Sequence, residues 1–220
     1  MKKWYKIERI PGVLASSYTK AAQLARSSYY CQVAEEVASA FREGTILDLG
    51  TGPGILPLEI IRQAPEIQII GLDLSRKLIH TARFRARHVG LESNARFEVG
   101  NAANLRFNDN FFDMVISTGM LHSLKKPARV FKEIFRVLKP DGEAWIYDPA
   151  RIVQYIDKNQ WRASLIRRER FYLWIFGLFG LHKPIEIWSR DQVIPLIKCA
   201  GFTRYAVREL EGEIRIKLKK

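Results

Sequence analysis

The stretch Ile46-Leu47-Asp48-Leu49-Gly50-Thr51-Gly52-Pro53-Gly54 decides how the rest of the chain is read. Ile46 to Leu49 has the composition of a short buried strand, and Ile55 to Gln63 can start a helix. Between them, alternating glycines let the backbone turn tightly and let a ligand approach with no Cβ in the way. The helix that follows offers free N–H groups and a positive dipole end to whatever sits on the loop. A dinucleotide fingerprint would need Gly or Ala where Ile55 or Pro57 stands, and a P-loop would need a Gly-Lys-Ser/Thr ending. The loop is therefore built for neither a pyrophosphate nor a nucleoside triphosphate.

Working outward, the same alternation of strand and helix repeats. On the N-terminal side, residues 18–42 read as one helical segment ended by Gly44. On the C-terminal side, Ile67–Leu72 reads as a strand, and Ser75 can cap a helix running to His88. Arg96–Val99 and Phe111–Ser117 read as strands. Residues 127–138 read as a helix, Pro140-Asp141-Gly142 as a break, and Ala144–Tyr147 as the next strand. A helix over 189–200, capped by Ser189 and ended by Gly201, precedes a hairpin of Phe202–Leu210 and Glu213–Leu218 that turns at Glu211-Gly212. These elements predict an α/β fold: a Rossmann-like, doubly wound, mostly parallel sheet of seven strands with a C-terminal β-hairpin. The chain reads as a single domain, 1–220, with four parts: an N-terminal helical cover (1–44), a core (45–148), an inserted helical lid (149–188) and a C-terminal helix and hairpin (189–220).

Ligands of such sheets bind beyond the carboxyl ends of the strands, where the strand order reverses. Asp73 closes the second strand 19 residues after Gly54. A carboxylate at that place can accept both hydroxyls of a ribose; the plainer reading is an acidic helix cap beside Ser75.

Here the sequence resembles a family. ILDLGTGPG (46–54), IIGLDLS (69–75) and FFDMVISTGMLHSLKKPARVFKEIFRVLKPDGEAWIYD (111–148) are similar to the class I S-adenosylmethionine-dependent methyltransferases, and within them to the ubiquinone and menaquinone biosynthesis branch with its many small-molecule enzymes. The likeness covers about residues 45–148 and returns at 189–220 with Ala200-Gly201-Phe202 and the final hairpin. It implies a methyltransferase that uses S-adenosyl-L-methionine and releases S-adenosyl-L-homocysteine. By the same resemblance, Asp48, Gly50, Gly52 and Gly54 border the methionine part of the cofactor. Asp73 holds the ribose hydroxyls, Leu74 packs on the adenine, and Asn101 and Ala102 occupy the adenine edge. Ser117 lies beside the transferring methyl, and Tyr18 can touch the cofactor from the N-terminal cover, where packing is the more ordinary role.

Sulfonium chemistry needs little acid or base, because the leaving group is neutral; alignment and exclusion of water supply much of the acceleration. A base helps when the acceptor is a hydroxyl or a protonated amine. His122, just after the fourth strand, is the candidate catalytic residue; a histidine that packs the loop is the more ordinary reading. Ser117-Thr118-Gly119-Met120 departs from the Asn/Asp-Pro-Pro-Tyr/Phe of enzymes that methylate amino groups of DNA bases or glutamine.

The insert should choose the substrate. Arg162, Arg167, Arg168 and Arg170 precede Phe171-Tyr172-Leu173-Trp174-Ile175-Phe176. Arginines bind phosphate or carboxylate and an aromatic run can line an apolar pocket, so the expected acceptor is a small, partly apolar or acidic molecule. Two alternatives remain open. One is a membrane-surface element drawing a lipid or quinone substrate. The other is an RNA methyltransferase that uses the net charge of +13 and the stripe Arg76, His80, Arg83, Arg87. A non-catalytic cofactor binder, and transfer of another part of the same nucleoside, are the remaining options. Cys31 and Cys199 stand far apart and the four histidines show no ligand spacing, so no metal site is expected. Residues 1–17 lack the apolar core of a signal peptide, and the apolar run Phe171–Leu181 is shorter than the roughly 20 residues that span a bilayer, so the expected location is the cytoplasm. Oligomeric state is not legible.

Overall fold

In the computed structural model, Ile46–Leu49 lies in the middle of a seven-stranded sheet. The structure describes residues 8–149, 157–176, 188–210 and 212–220. The start of the N-terminal cover, the insert residues 150–156 and 177–187, and Glu211 of the expected hairpin turn lie outside them. So do the side chains of 172–176, and with them the aromatic run read as a pocket lining.

The strands are β1 (Glu43–Leu49), β2 (Glu66–Asp73), β3 (Ala95–Val99), β4 (Phe112–Thr118), β5 (Leu138–Pro149), β6 (Arg204–Leu210) and β7 (Glu213–Lys219). Their order is β3-β2-β1-β4-β5-β7-β6. β1 to β5 are parallel, and β7 runs antiparallel between β5 and β6. The order reverses between β1 and β4, where Leu49 pairs with Leu72 on one side and Ser117 on the other. The glycine loop therefore leaves the sheet at the switch point.

The helices are α1 (Ala15–Leu24), α2 (Cys31–Ala40), α3 (Ile55–Gln63), α4 (Arg76–His88), α5 (Pro127–Val137), α6 (Lys158–Ser164), α7 (Arg167–Phe176) and α8 (Arg190–Ala200). Alternation along each strand splits the apolar residues between two faces. Ile46, Ile69, Phe97, Met114 and Trp145 pack with α2, α3 and α4, while Leu47, Leu72, Val115, Ile146 and Ile216 pack with α5 and α8. Both faces are covered, which is why the central strands read as continuous apolar runs.

Three local expectations are corrected. The segment 18–42 is two helices joined by a π-helical turn, Arg26–Tyr30. Ala25 O accepts from both Tyr29 N and Tyr30 N (3.0 and 3.2 Å), so one extra residue enters the turn and both tyrosines face inward. The turn is pinned to α3 by buried Glu59, which receives Arg26 Nε (2.6 Å) and Arg62. Second, Pro140-Asp141-Gly142 does not end the preceding segment before a strand. β5 already pairs at Leu138 with Phe112, bulges through Asp141 at φ 62°, and pairs again at Glu143 with Met114. Third, Ser75 stands at the start of α4 without a side-chain cap bond; its N–H is taken by Asp73 Oδ1 (2.7 Å). Ser189 forms the expected cap, as a capping box with Gln192.

α6 and α7 are strapped to α1. Trp161 Nε1 donates to Ser17 O (3.1 Å), and Lys20 Nζ donates to Ser164 O (2.8 Å) and to Glu169 Oε2 (2.7 Å).

Candidate active site

The loop after β1 is folded back onto β2. Gly50 N and Thr51 N both donate to Leu72 O (2.8 and 3.0 Å), and Gly52 N donates to Asp73 Oδ2 (3.0 Å). Gly54 begins α3 at φ 76°, where a Cβ would also lie 2.8 Å from Ala82 Cβ and 2.9 Å from the Phe97 ring. Only glycine meets both demands, so the loop cannot be rebuilt with another residue there without moving α4 or β3.

Asp73 sits half-buried at the end of β2, each carboxylate oxygen taking one backbone N–H, from Ser75 and from Gly52. Burial pushes its carboxyl above the usual range against those two donors. A carboxylate has about four acceptor sites, so two remain for a ligand's hydroxyls. The cap reading and the ligand reading are thus compatible. Asp48 is 1% exposed at the end of β1, and its Oδ1 has no hydrogen-bond partner. Burial pushes its carboxyl up to about 7, tempered by the Thr51 side chain and reinforced by the charge of Asp73. An unpartnered buried carboxylate oxygen calls for a donor or a cation.

Tyr18 lies over the loop: a Cβ at Gly52 would fall 3.3 Å from Tyr18 Cε1. Burial pushes its phenol up to about 12, the negative charge of Asp73 adds to that, and a hydrogen bond with Tyr30 opposes it. Met120 closes the loop from β4, its Sδ 3.2 Å from where a Gly50 Cβ would stand. Leu74 is half-buried beside Asp73. Asn101 is exposed, with Oδ1 accepting from Ala103 N (2.8 Å), and Ala102 is buried next to it. Ser117 is buried and donates to Leu49 O (2.9 Å), so its hydroxyl ties β4 to β1.

His122 follows Met120 in a short 3₁₀ turn, Leu121–Ser123. Its N–H donates to Asp148 Oδ2 (2.9 Å) and its Nδ1 lies 3.0 Å from Asp148 Oδ1. Asp148 is 1% exposed, near the end of β5. A carboxylate only accepts, so Nδ1 carries a proton, and in the neutral ring the lone pair is on Nε2. The structure therefore brings together Asp48, Gly50, Gly52, Asp73 and Tyr18 directly, and brings His122 to them through Met120. Sequence reasoning missed Asp148 and Met120. The signal for Asp148 was its place at the end of the strand beside β4, where a parallel neighbour's terminal residue meets the same mouth.

The stripe Arg76, His80, Arg83 and Arg87 is exposed along α4, and Arg83 Nε is taken by Phe97 O (2.8 Å).

Comparison with known proteins fixes the class. A family profile described as "Methyltransferase domain" matches residues 41–177. The chain is 33% identical over 191 residues to a demethylmenaquinone methyltransferase of Lactobacillus johnsonii, covering 79% of this chain and 75% of that one. It is also 33% identical over 170 residues to a ubiquinone/menaquinone biosynthesis C-methyltransferase of Desulfotalea psychrophila, covering 72% and 65%. Its fold matches a putative S-adenosyl-L-methionine-dependent methyltransferase of Methanococcus maripaludis, with a TM-score of 0.76 at 21% identity over 100% of this chain and 97% of that one. The chain belongs to the S-adenosylmethionine-dependent methyltransferases. The residues present fit that cofactor: an unpartnered buried carboxylate for a cationic group, a second carboxylate with free acceptor sites for a diol, and a loop that lacks a Cβ at Gly50, Gly52 and Gly54 between them.

Proposed function

We propose that this methyltransferase acts on a small, partly apolar acceptor that carries an ionisable hydroxyl, as the reduced, hydroquinone form of a quinone like the one in the name of its L. johnsonii relative would. The observation that carries this reading is the His122–Asp148 pair at the mouth of β4 and β5. Sulfonium transfer to an already nucleophilic atom needs no base, so an imidazole oriented by a buried carboxylate has a purpose when the acceptor must first lose a proton.

S-adenosylmethionine supplies an activated methyl group with a neutral leaving group. Asp48 would hold its cationic methionine end, Gly50, Gly52 and Gly54 would let it lie against the backbone, and Asp73 would take the ribose hydroxyls. Leu74, Asn101 and Ala102 would line the adenine, Asn101 through its amide N–H because its carbonyl already serves Ala103. Tyr18 would cover the loop. Ser117 would act indirectly, by fixing β4 against β1. His122 Nε2 would take the proton of the acceptor hydroxyl while Asp148 stabilises the imidazolium. α6 and α7, strapped to α1 two residues from Tyr18, would shut water out.

His122→Ala should lower turnover on the true acceptor by roughly 10²–10⁴ with cofactor affinity unchanged. Near-normal turnover in that variant would end the base role and return His122 to a packing role.

A further inference from the structure

We propose that Tyr30 is a positioning residue for the cofactor: its hydroxyl donates to Tyr18, which leaves the Tyr18 proton free to meet the carboxylate of the methionine end. This role rests on the placing of that end between Asp48 and Tyr18 given above.

The methionine end of S-adenosylmethionine carries an ammonium and a carboxylate. The unpartnered Asp48 Oδ1 suits the ammonium, whereas the carboxylate needs hydrogen-bond donors. The loop backbone has none left to give. Gly50 N and Thr51 N are spent on Leu72 O, Gly52 N on Asp73 Oδ2 and Gly54 N on Thr51 O (3.1 Å), and Pro53 has no N–H. The Thr51 hydroxyl is turned to the sheet, 2.6 Å from where a Cβ at Gly71 would stand. A donor must therefore come from outside the loop. The Tyr18 hydroxyl lies over it, its oxygen 3.8 Å from where a Gly52 Cβ would stand.

A phenol has one proton, so the direction of that proton decides whether Tyr18 can donate to a ligand. Tyr18 and Tyr30 share a hydrogen bond, while Asp48 acts on Tyr30 through its charge alone. The shared bond holds the Tyr18 phenol down and pushes the Tyr30 phenol up, as it does when Tyr30 donates. Tyr30 is 7% exposed and Tyr18 half-buried, so the proton spent is that of the deeper residue.

The π turn puts Tyr30 in place. Without the extra residue, Tyr30 would be rotated by about 100° relative to α1, which carries Tyr18. The turn is held at both ends, by Arg26 Nε on Glu59 Oε1 (2.6 Å) and by the Tyr29 hydroxyl on Glu213 Oε1 (3.2 Å). The Tyr29 ring then meets the Tyr30 ring edge to face at 5.4 Å. π turns recur at functional sites, where one inserted residue re-aims a side chain.

The test is calorimetry of the full chain with S-adenosylmethionine and with decarboxylated S-adenosylmethionine, which keeps the amine and lacks the carboxylate. The wild type should favour the carboxylate-bearing ligand by about 10-fold or more. Tyr30→Phe keeps the ring and removes the hydroxyl; it should weaken S-adenosylmethionine about 10-fold and leave the decarboxylated ligand unchanged. Tyr18→Phe should do the same, and Tyr18→Phe/Tyr30→Phe should lose no more than Tyr18→Phe alone. A Tyr30 that only packs would weaken both ligands alike, and the ratio of the two affinities cancels any general loosening of the fold. Equal losses for both ligands in Tyr30→Phe, or no loss for either, would overturn the role of Tyr30. If Tyr18→Phe kept the full preference, or the wild type had none, the placing of Tyr18 at the methionine end would fall as well.

Discussion

At the scale of single residues, the site is organised by two carboxylates in unlike surroundings. Asp73 is satisfied by backbone N–H groups, whereas Asp48 has an oxygen with no partner and a carboxyl raised from 3.8 to about 7. The raised value means that the folded chain holds this proton more tightly than the unfolded chain. Its contribution to stability is full below pH 3.8 and is lost as pH rises towards about 7. Thermal unfolding of the ligand-free chain followed from pH 4 to 8 should show that decline, and Asp48→Asn should flatten it. A cationic ligand favours the ionised form, so affinity for S-adenosylmethionine, measured by calorimetry, should rise as pH passes through about 7 in the wild type and stay level in Asp48→Asn. The loop glycines and Asp73 were legible in the sequence because backbone geometry restricts those places to a few residue types. Asp148 was not, because its role depends on the parallel pairing of β4 with β5, which brings residues 26 apart into hydrogen-bond contact.

At the scale of elements, the strands were legible and the helical cover only in part. Strands buried on both faces announce themselves as apolar runs. The π turn at Arg26–Tyr30 does not, because one inserted residue leaves the i, i+4 spacing of Val33, Val37 and Phe41 untouched while rotating everything before it. The bulge at Asp141 was read as a break for a similar reason: Pro-Asp-Gly marks a turn, and only pairing across the sheet shows that the strand resumes. The strap between α1 and the α6–α7 pair could not be foreseen, since Lys20 and Glu169 lie 149 residues apart. Lys20→Ala removes the partner of a nearly buried carboxylate and should cost roughly 1–3 kcal/mol of local stability. Limited proteolysis should then cut the insert faster, and KM for the acceptor should rise while cofactor affinity holds. An unchanged proteolytic pattern would mean that Trp161 and the apolar contacts of Leu165 hold the insert without it.

At the scale of the whole molecule, one sheet sets everything: it reverses order between β1 and β4, and the loop, Asp73, Met120 and His122 all leave it at that end. Seven strands, the hairpin and the class of cofactor could all be read from the sequence, since each rests on local patterns. The acceptor could not, because no local pattern in the sequence specifies it. The most direct measurement supplies S-adenosylmethionine labelled on its methyl carbon to the chain and a cell extract, then separates lipid, RNA, protein and small-molecule fractions. The account predicts enzyme-dependent label in an organic-soluble small molecule, together with S-adenosylhomocysteine, and loss of that label with His122→Ala. Label in RNA or protein, or none in any fraction from a chain that binds the cofactor, would contradict it.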